Sequence, residues 1–83
     1  MAYRVDIDQP AVGTIRALPR HAQIAFAEAL ALLELTPWAG RPFMASNPGG
    51  AIRTIAFGDG GLVVYLVLDD LARVDVLEIQ WSR

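Results

Sequence analysis

An unbroken apolar run covers residues 62–68, which read LVVYLVL, and it limits the folds that this sequence can adopt. The run is rich in β-branched and aromatic types, and its short length between two turns is typical of a strand inside a sheet. Residues 58–61 (GDGG) supply a hairpin turn before the run, and Asp69-Asp70 begin another turn after it. The sequence therefore predicts a central strand whose neighbours join it through tight turns.

Three other segments have strand patterns. Residues 3–8 alternate apolar and charged types, residues 51–57 precede the central run, and residues 74–81 close the pattern. In the first strand we expect one face to carry Tyr3, Val5 and Ile7. In the last strand we expect one face to carry Leu77, Ile79 and Trp81, and the other to carry Val74, Val76, Glu78 and Gln80.

Two helices are predicted between the first strand and a loop at residues 36–50. The first begins near Pro10, because proline suits the first turn of a helix, and it ends at Pro19, which disfavours helical geometry in Leu18. The second covers residues 20–35. Its wide apolar arc is formed by Ala25, Phe26, Ala29, Leu30, Leu32 and Leu33.

A second stripe of apolar residues lies on the far side of that helix. It consists of Ile24, Ala31 and Leu35. A helix that is apolar on two sides must be covered on two sides. The second cover comes either from the first helix and the loop at residues 36–50 or from another protein chain.

The element order is β-α-α-β-β-β, which predicts an α+β fold. We expect one domain over residues 1–83, with a four-stranded, mainly antiparallel sheet and a helical hairpin packed on one face. The absence of cysteine excludes disulfides and thiolate metal sites, and no cofactor or other metal motif is apparent. The net charge of −2 argues against broad, nonspecific binding of nucleic acid. No membrane span or signal peptide is predicted, so we expect a cytoplasmic protein.

Four local motifs, in their order and spacing, resemble the RelE/ParE superfamily of toxins over nearly the whole chain. The first predicted strand is followed by a helical hairpin, and the second helix of that hairpin ends in the proline-containing loop Leu35-Thr36-Pro37. An R-x-I strand follows at Arg53-Thr54-Ile55. A V-V-Y-x-V strand stands at residues 63–67, and an acidic turn then leads to VDVLEI at residues 74–79.

The resemblance implies the toxin of a type II toxin–antitoxin pair, neutralised by a cognate antitoxin. RelE-like members cut messenger RNA in the ribosomal A site, and ParE-like members act on DNA gyrase. The implied targets are therefore the ribosome with its mRNA or gyrase. A different interpretation is a non-catalytic RelE-like module that only binds a protein partner.

The resemblance also implies candidate catalytic residues for an endoribonuclease. Arg53 aligns with a basic residue of the family's second strand, Arg83 roughly matches an arginine near the family's C-terminal end, and Arg41 is a further candidate. Two other basic positions of the family are occupied here by Ile55 and Leu62. Because phosphate charge is stabilised by several cations acting together, this loss favours a ParE-like binder.

Arg53 has an alternative role as a strand arginine paired with Asp75 or Glu78. For partner binding, by the antitoxin or by a second copy of the chain in a homodimer, we expect a set of exposed apolar side chains. These are Ile24, Ala31, Leu35, Trp38 and Trp81.

Overall fold

The computed structural model describes residues 2–82, which form two helices and one five-stranded sheet. The elements in chain order are β1 (Arg4–Ile7), α1 (Gln9–Ala17), α2 (Arg20–Leu35), β2 (Arg41–Pro42), β3 (Ile52–Phe57), β4 (Gly61–Leu68) and β5 (Arg73–Trp81). The sheet order is β1-β5-β4-β3-β2, with β1 parallel to β5 and the other pairs antiparallel. The predicted α+β class is confirmed. No helix in this part of the chain is long and apolar enough to cross a bilayer.

The sheet has one strand more than the four predicted. Arg41 pairs with Thr54 and Pro42 pairs with Arg53, so a two-residue strand closes the free edge of β3. Residues 41–42 show no strand pattern, because proline cannot donate to a strand ladder. An edge position tolerates that loss, since the missing N–H would face outward.

The predicted alternation along β5 is wrong in its first half. Tyr65 pairs with Val76 but Val64 pairs with Glu78, so Leu77 is an extra residue that forms a β-bulge. Because of the bulge, Val74 and Val76 lie on the same side of the sheet as Ile79 and Trp81. The side chains of β5 that pack into the core are therefore Val74, Val76, Ile79 and Trp81.

Both helices lie on one face of the sheet, called the inner face here. It is lined on β4 by Val63, Tyr65 and Val67, which pack against buried residues of α2 such as Phe26 and Leu33. The opposite, open face has no helix over it in the described residues. Most of the predicted arc of α2 is buried or half-buried, but Leu32 is 44% exposed.

Candidate functional site on the faces of the central strands

The register of β3 and β4 decides which side of the sheet each candidate residue occupies. Arg53 lies opposite Tyr65, and Tyr65 is fully buried beneath the helices. Leu62 lies opposite Ala56, three residues before Tyr65, and therefore on the open face. The strand arginine and the position where the family carries another arginine thus face opposite sides of the sheet.

The guanidinium of Arg53 is held by backbone carbonyl oxygens of the segment between α2 and β3. Its Nε and Nη2 donate to the Gly40 oxygen at 3.2 and 2.8 Å, and its Nη1 donates to the oxygens of Pro48 and Gly50 at 3.3 and 3.2 Å. The guanidinium carbon lies 5.1 Å from the centre of the Trp38 ring, within cation–π range. Arg53 is only 9% exposed.

The alternative pairing of Arg53 with Asp75 or Glu78 is wrong. Strand β4 lies between β3 and β5, and Asp75 instead accepts a 2.8 Å ion-pair contact from Nε of Arg73 on its own strand. The contacts of Arg53 favour a structural role, because four hydrogen bonds occupy most of the five N–H donors of a guanidinium. Its catalytic role stays a prediction.

Tyr65 fixes the same segment from the neighbouring strand. Its hydroxyl accepts a 3.0 Å hydrogen bond from the Gly40 N–H and donates a 2.8 Å bond to the Pro37 carbonyl oxygen. Burial raises the pKa of Tyr65 above its ordinary value, with Gly40 and Arg53 acting in the opposite direction. A Cβ on Gly40 would collide with the Thr54 carbonyl and the Tyr65 hydroxyl. Only glycine therefore fits at this crossing.

The open face divides into an apolar half and an ion-paired half. The apolar half follows β4 and β3, and it includes Ile52, Ala56, Leu62, Val64, Leu66 and Leu68, with Thr54 among them. Val64 is buried, and the other side chains are half-buried or exposed. On β1 and β5, the carboxylate of Asp6 lies 3.2 Å from Arg4 and 3.8 Å from Arg73, and Asp75 also holds Arg73. The two arginines of this half are therefore both engaged by acids.

Arg41 has a different environment from Arg53. It pairs in register with Thr54 and so lies on the open face, exposed beside a depression of about 430 Å³ that Thr54, Ala56 and Leu62 help to line. It makes no ion pair with any residue from 2 to 82. Arg83, the third candidate, lies outside the described residues. Arg41 and Arg53 are thus not brought together on one face.

The residues predicted to bind a partner fall into three environments. Ile24 and Leu35 of the second stripe are 53% and 73% exposed, Ala31 of the same stripe is exposed as well, and the loop does not cover them. Trp38 is exposed, and its Nε1 donates to Asp69 Oδ1 at 3.1 Å, an oxygen that also accepts the Tyr3 hydroxyl at 2.7 Å. That hydrogen bond raises the pKa of Tyr3.

Trp81 is more enclosed than the prediction implied. Its ring stacks on Phe57 with centroids 5.8 Å apart, and His21 contacts it edge-on at 5.9 Å. Its partner-binding role stays a prediction. The sequence pattern did not single out Leu71, which is exposed in the short turn Asp69–Leu71. A lone leucine beside two acids carries no periodic signal.

No family model and no curated protein matches the chain. Several solved structures match the chain over almost its whole length. The isolated E. coli RelE toxin has a TM-score of 0.81 at 21% identity, covering 99% of this chain and 86% of the other. The E. coli RelBE toxin–antitoxin complex gives 0.81 and 21%, covering 99% of both chains. The RelBE2 complex from Mycobacterium tuberculosis gives 0.82 and 19%, covering 99% and 93%. At these identities the likeness establishes that the chain has the fold of RelE toxins.

Proposed function

We propose that this chain is the toxin of a type II toxin–antitoxin system, neutralised by a cognate antitoxin and acting in the cytoplasm by binding its target. The observation that carries the proposal is the end-to-end likeness to the toxin fold, which leaves almost none of either chain unmatched in the E. coli RelBE comparison. A fold alone does not determine the chemistry of a protein. The proposed mode of action is therefore argued from the residues of the open face.

The open face supports binding better than RNA cleavage. Cleavage needs cations that converge on the phosphate. Here Leu62 and Ala56 are apolar, Arg4 and Arg73 are engaged by carboxylates, and Arg41 is the remaining basic residue that the described chain places on this face. An apolar centre with a polar rim is typical of a protein–protein interface. A protein target, such as the gyrase bound by ParE-like toxins, therefore fits better than mRNA.

A cognate antitoxin is supported by two observations. Similar structures from E. coli, M. tuberculosis and Pyrococcus horikoshii are toxin–antitoxin or RelE–RelB complexes. In addition, Trp38, Phe43 and Met44 leave a large part of their apolar surface exposed around the loop, and such surface commonly marks an interaction site. We assign this loop surface to the antitoxin.

The mRNA interferase remains the competing version of the proposal. It would use Arg53, Arg41 and Arg83, and it requires Arg53 to leave its carbonyl partners and reach the other side of the sheet. The non-catalytic interaction module is the second competitor. It predicts partner binding without any effect on growth.

Induced expression tests all three versions. The chain is expressed alone and with each neighbouring gene, while growth, new RNA 5′ ends and gyrase-linked DNA breaks are recorded. We expect growth arrest without codon-linked RNA ends, relieved by a neighbour that encodes the antitoxin. Leu66→Glu on the open face should abolish the arrest in a chain that still folds, whereas Leu71→Glu, in the exposed turn Asp69–Leu71 outside the β3–β4 ribbon, should not.

Growth without arrest would overturn the toxin assignment and leave the interaction module. Arrest with new RNA ends inside codons would overturn the binding mechanism and favour the interferase. Arrest that persists in Leu66→Glu would exclude the open face as the target-binding surface.

A further inference from the structure

The charges on α2 run in the reverse of the order that its own dipole favours. Its first turn contains Arg20 and His21 and no acid, and its last turn contains Glu34 and no base. The N-terminus of a helix carries positive partial charge and the C-terminus carries negative partial charge. Both ends of α2 thus hold a side chain that the isolated helix disfavours.

The side chains between these two ends form an open apolar surface. Ile24, Ala27 and Ala31 are exposed and, with Arg20 and Glu34, fall within about 80° of one another around the helix. Helix α1 does not cover this side, because it packs mainly against β5. The face is therefore apolar in the middle, positive at one end and negative at the other.

We propose that two copies of this chain pair α2 against α2, antiparallel, about a two-fold axis near Ala27 and Glu28. Arg20 then lies beside the partner subunit's Glu34 at both ends of the interface, and Ile24 packs on the partner subunit's Ala31. The small side chains of Ala27 and Ala31 allow the two helices to approach closely. Such an interface is isologous, so each contact occurs twice.

The pairing removes the conflict with the helix dipole. Each N-terminus, with its Arg20, acquires the carboxylate of the partner's Glu34, and each C-terminus acquires the guanidinium of the partner's Arg20. Within one chain these two side chains cannot help each other, because 14 residues of helix separate their backbones by about 21 Å, well beyond the screening length of about 8 Å at physiological salt. A second copy of the chain supplies the complementary charge at each end of α2, so the charge pattern identifies a second copy as the partner.

Glu28 introduces a repulsion into the proposed dimer, and this repulsion can be tested. It lies on the other flank of the same exposed side, close to the two-fold axis, so the two copies bring their Glu28 carboxylates near each other. Like charges at short range oppose association. Glu28→Gln should therefore tighten the dimer, whereas a change that merely perturbed the helix would not.

Charge reversal, followed by sedimentation equilibrium of the full chain at low salt and high protein concentration, tests the arrangement. Arg20→Glu or Glu34→Arg alone should weaken self-association about ten-fold, since each change removes two symmetry-related pairs and creates repulsion. The double variant Arg20→Glu/Glu34→Arg should regain the affinity, because the swapped charges meet again across the two-fold axis. Each single change also improves the fit of α2 to its dipole, so thermal unfolding should show no loss of folding.

The apolar part of the interface has its own matched pair of variants. Ile24→Glu should abolish self-association, whereas Met44→Glu, at an equally exposed position on the loop, should leave it unchanged. The proposal fails if the wild-type chain stays monomeric at all concentrations, if either single reversal has no effect, or if the double reversal does not restore association. The result is independent of the proposed toxin activity, which none of these measurements reads.

Discussion

The two faces of the β3–β4 ribbon are built by alternate residues of the same strands. They differ in how far their side chains are held by hydrogen bonds within the chain. On the inner face, Arg53 and Tyr65 use their polar groups on backbone atoms of the segment between α2 and β3. On the open face, Thr54 and Leu62 are the neighbouring positions, and no comparable network holds them in the described residues. A strand motif can therefore contain an arginine that serves the fold, one residue away from the open face that is proposed to bind a partner.

The largest effect is expected from Arg53→Met. This change removes the donors of four hydrogen bonds and leaves the oxygens of Gly40, Pro48 and Gly50 without that partner. We expect the free energy of unfolding to fall by about 3 kcal/mol, as for bonds made by a charged group. Urea unfolding measures this free energy. Arg41→Met is the matched control, for which we expect a loss of about 0.5 kcal/mol or less. Equal losses at the two positions would remove the difference between the faces.

Tyr65→Phe should destabilise the chain somewhat less. The substitution keeps the ring in the core but leaves the Gly40 N–H and the Pro37 carbonyl oxygen unpaired in a buried crossing. We expect a loss of about 2 kcal/mol. Tyr3→Phe is the control, because it removes one surface hydrogen bond only. A Tyr65→Phe variant as stable as the wild type would show that the crossing does not depend on the hydroxyl.

Leu62→Arg tests whether the open face can bind RNA when it carries a second arginine. It places on the open face the type of residue that the family carries there, at a half-buried position where we expect a stability change below about 1 kcal/mol. Two arginines on this face, Arg41 and the new one, should raise affinity for single-stranded RNA without producing cleavage. Filter binding and gel analysis of the same RNA measure both. Cleavage by this variant would mean that a single missing charge was the obstacle.

The smallest effect concerns the two tyrosines. Burial of Tyr65 and the Asp69 hydrogen bond of Tyr3 both raise the tyrosine pKa in the folded chain. The folded state therefore holds these protons more tightly, so stability from this source is present below about pH 10, the ordinary value, and is lost as pH rises through the raised folded values.

Absorbance at 295 nm should show tyrosinate forming at higher pH in the folded chain than in urea. Asp69→Asn should lower the midpoint of Tyr3 and leave that of Tyr65 unchanged. Identical titrations of the folded and unfolded chains would contradict both shifts.

Local patterns predicted much of this fold. Proline positions and apolar spacing located α1 and α2, and the run at residues 62–68 predicted a central strand that is observed as β4. Strand β2 and the bulge at Leu77 escaped prediction because neither changes the local pattern; both are set by pairing with a distant strand. The second stripe of α2 was expected to need a cover, and the structure leaves it exposed.

The candidate site was less predictable than the fold. Motif alignment identified Arg53, but its partners are carbonyl oxygens of residues 40, 48 and 50, which any amino acid presents. Sequence reasoning therefore considered only acidic side chains as partners. The face occupied by Arg53 follows from its register with Tyr65, and a shift of one residue would have placed it on the open face.

Primer extension on programmed ribosomes distinguishes target binding from mRNA cleavage by this chain. Purified chain is added to ribosomes with a defined codon in the A site, with E. coli RelE as the positive control, at concentrations that cover its range of activity. We expect no cleavage by this chain, although the same preparation should bind the proposed antitoxin and its expression should arrest growth. Cleavage at the A-site codon would contradict this expectation, and loss of that cleavage in Arg53→Lys and Arg41→Lys, with their folding intact, would assign it to those residues.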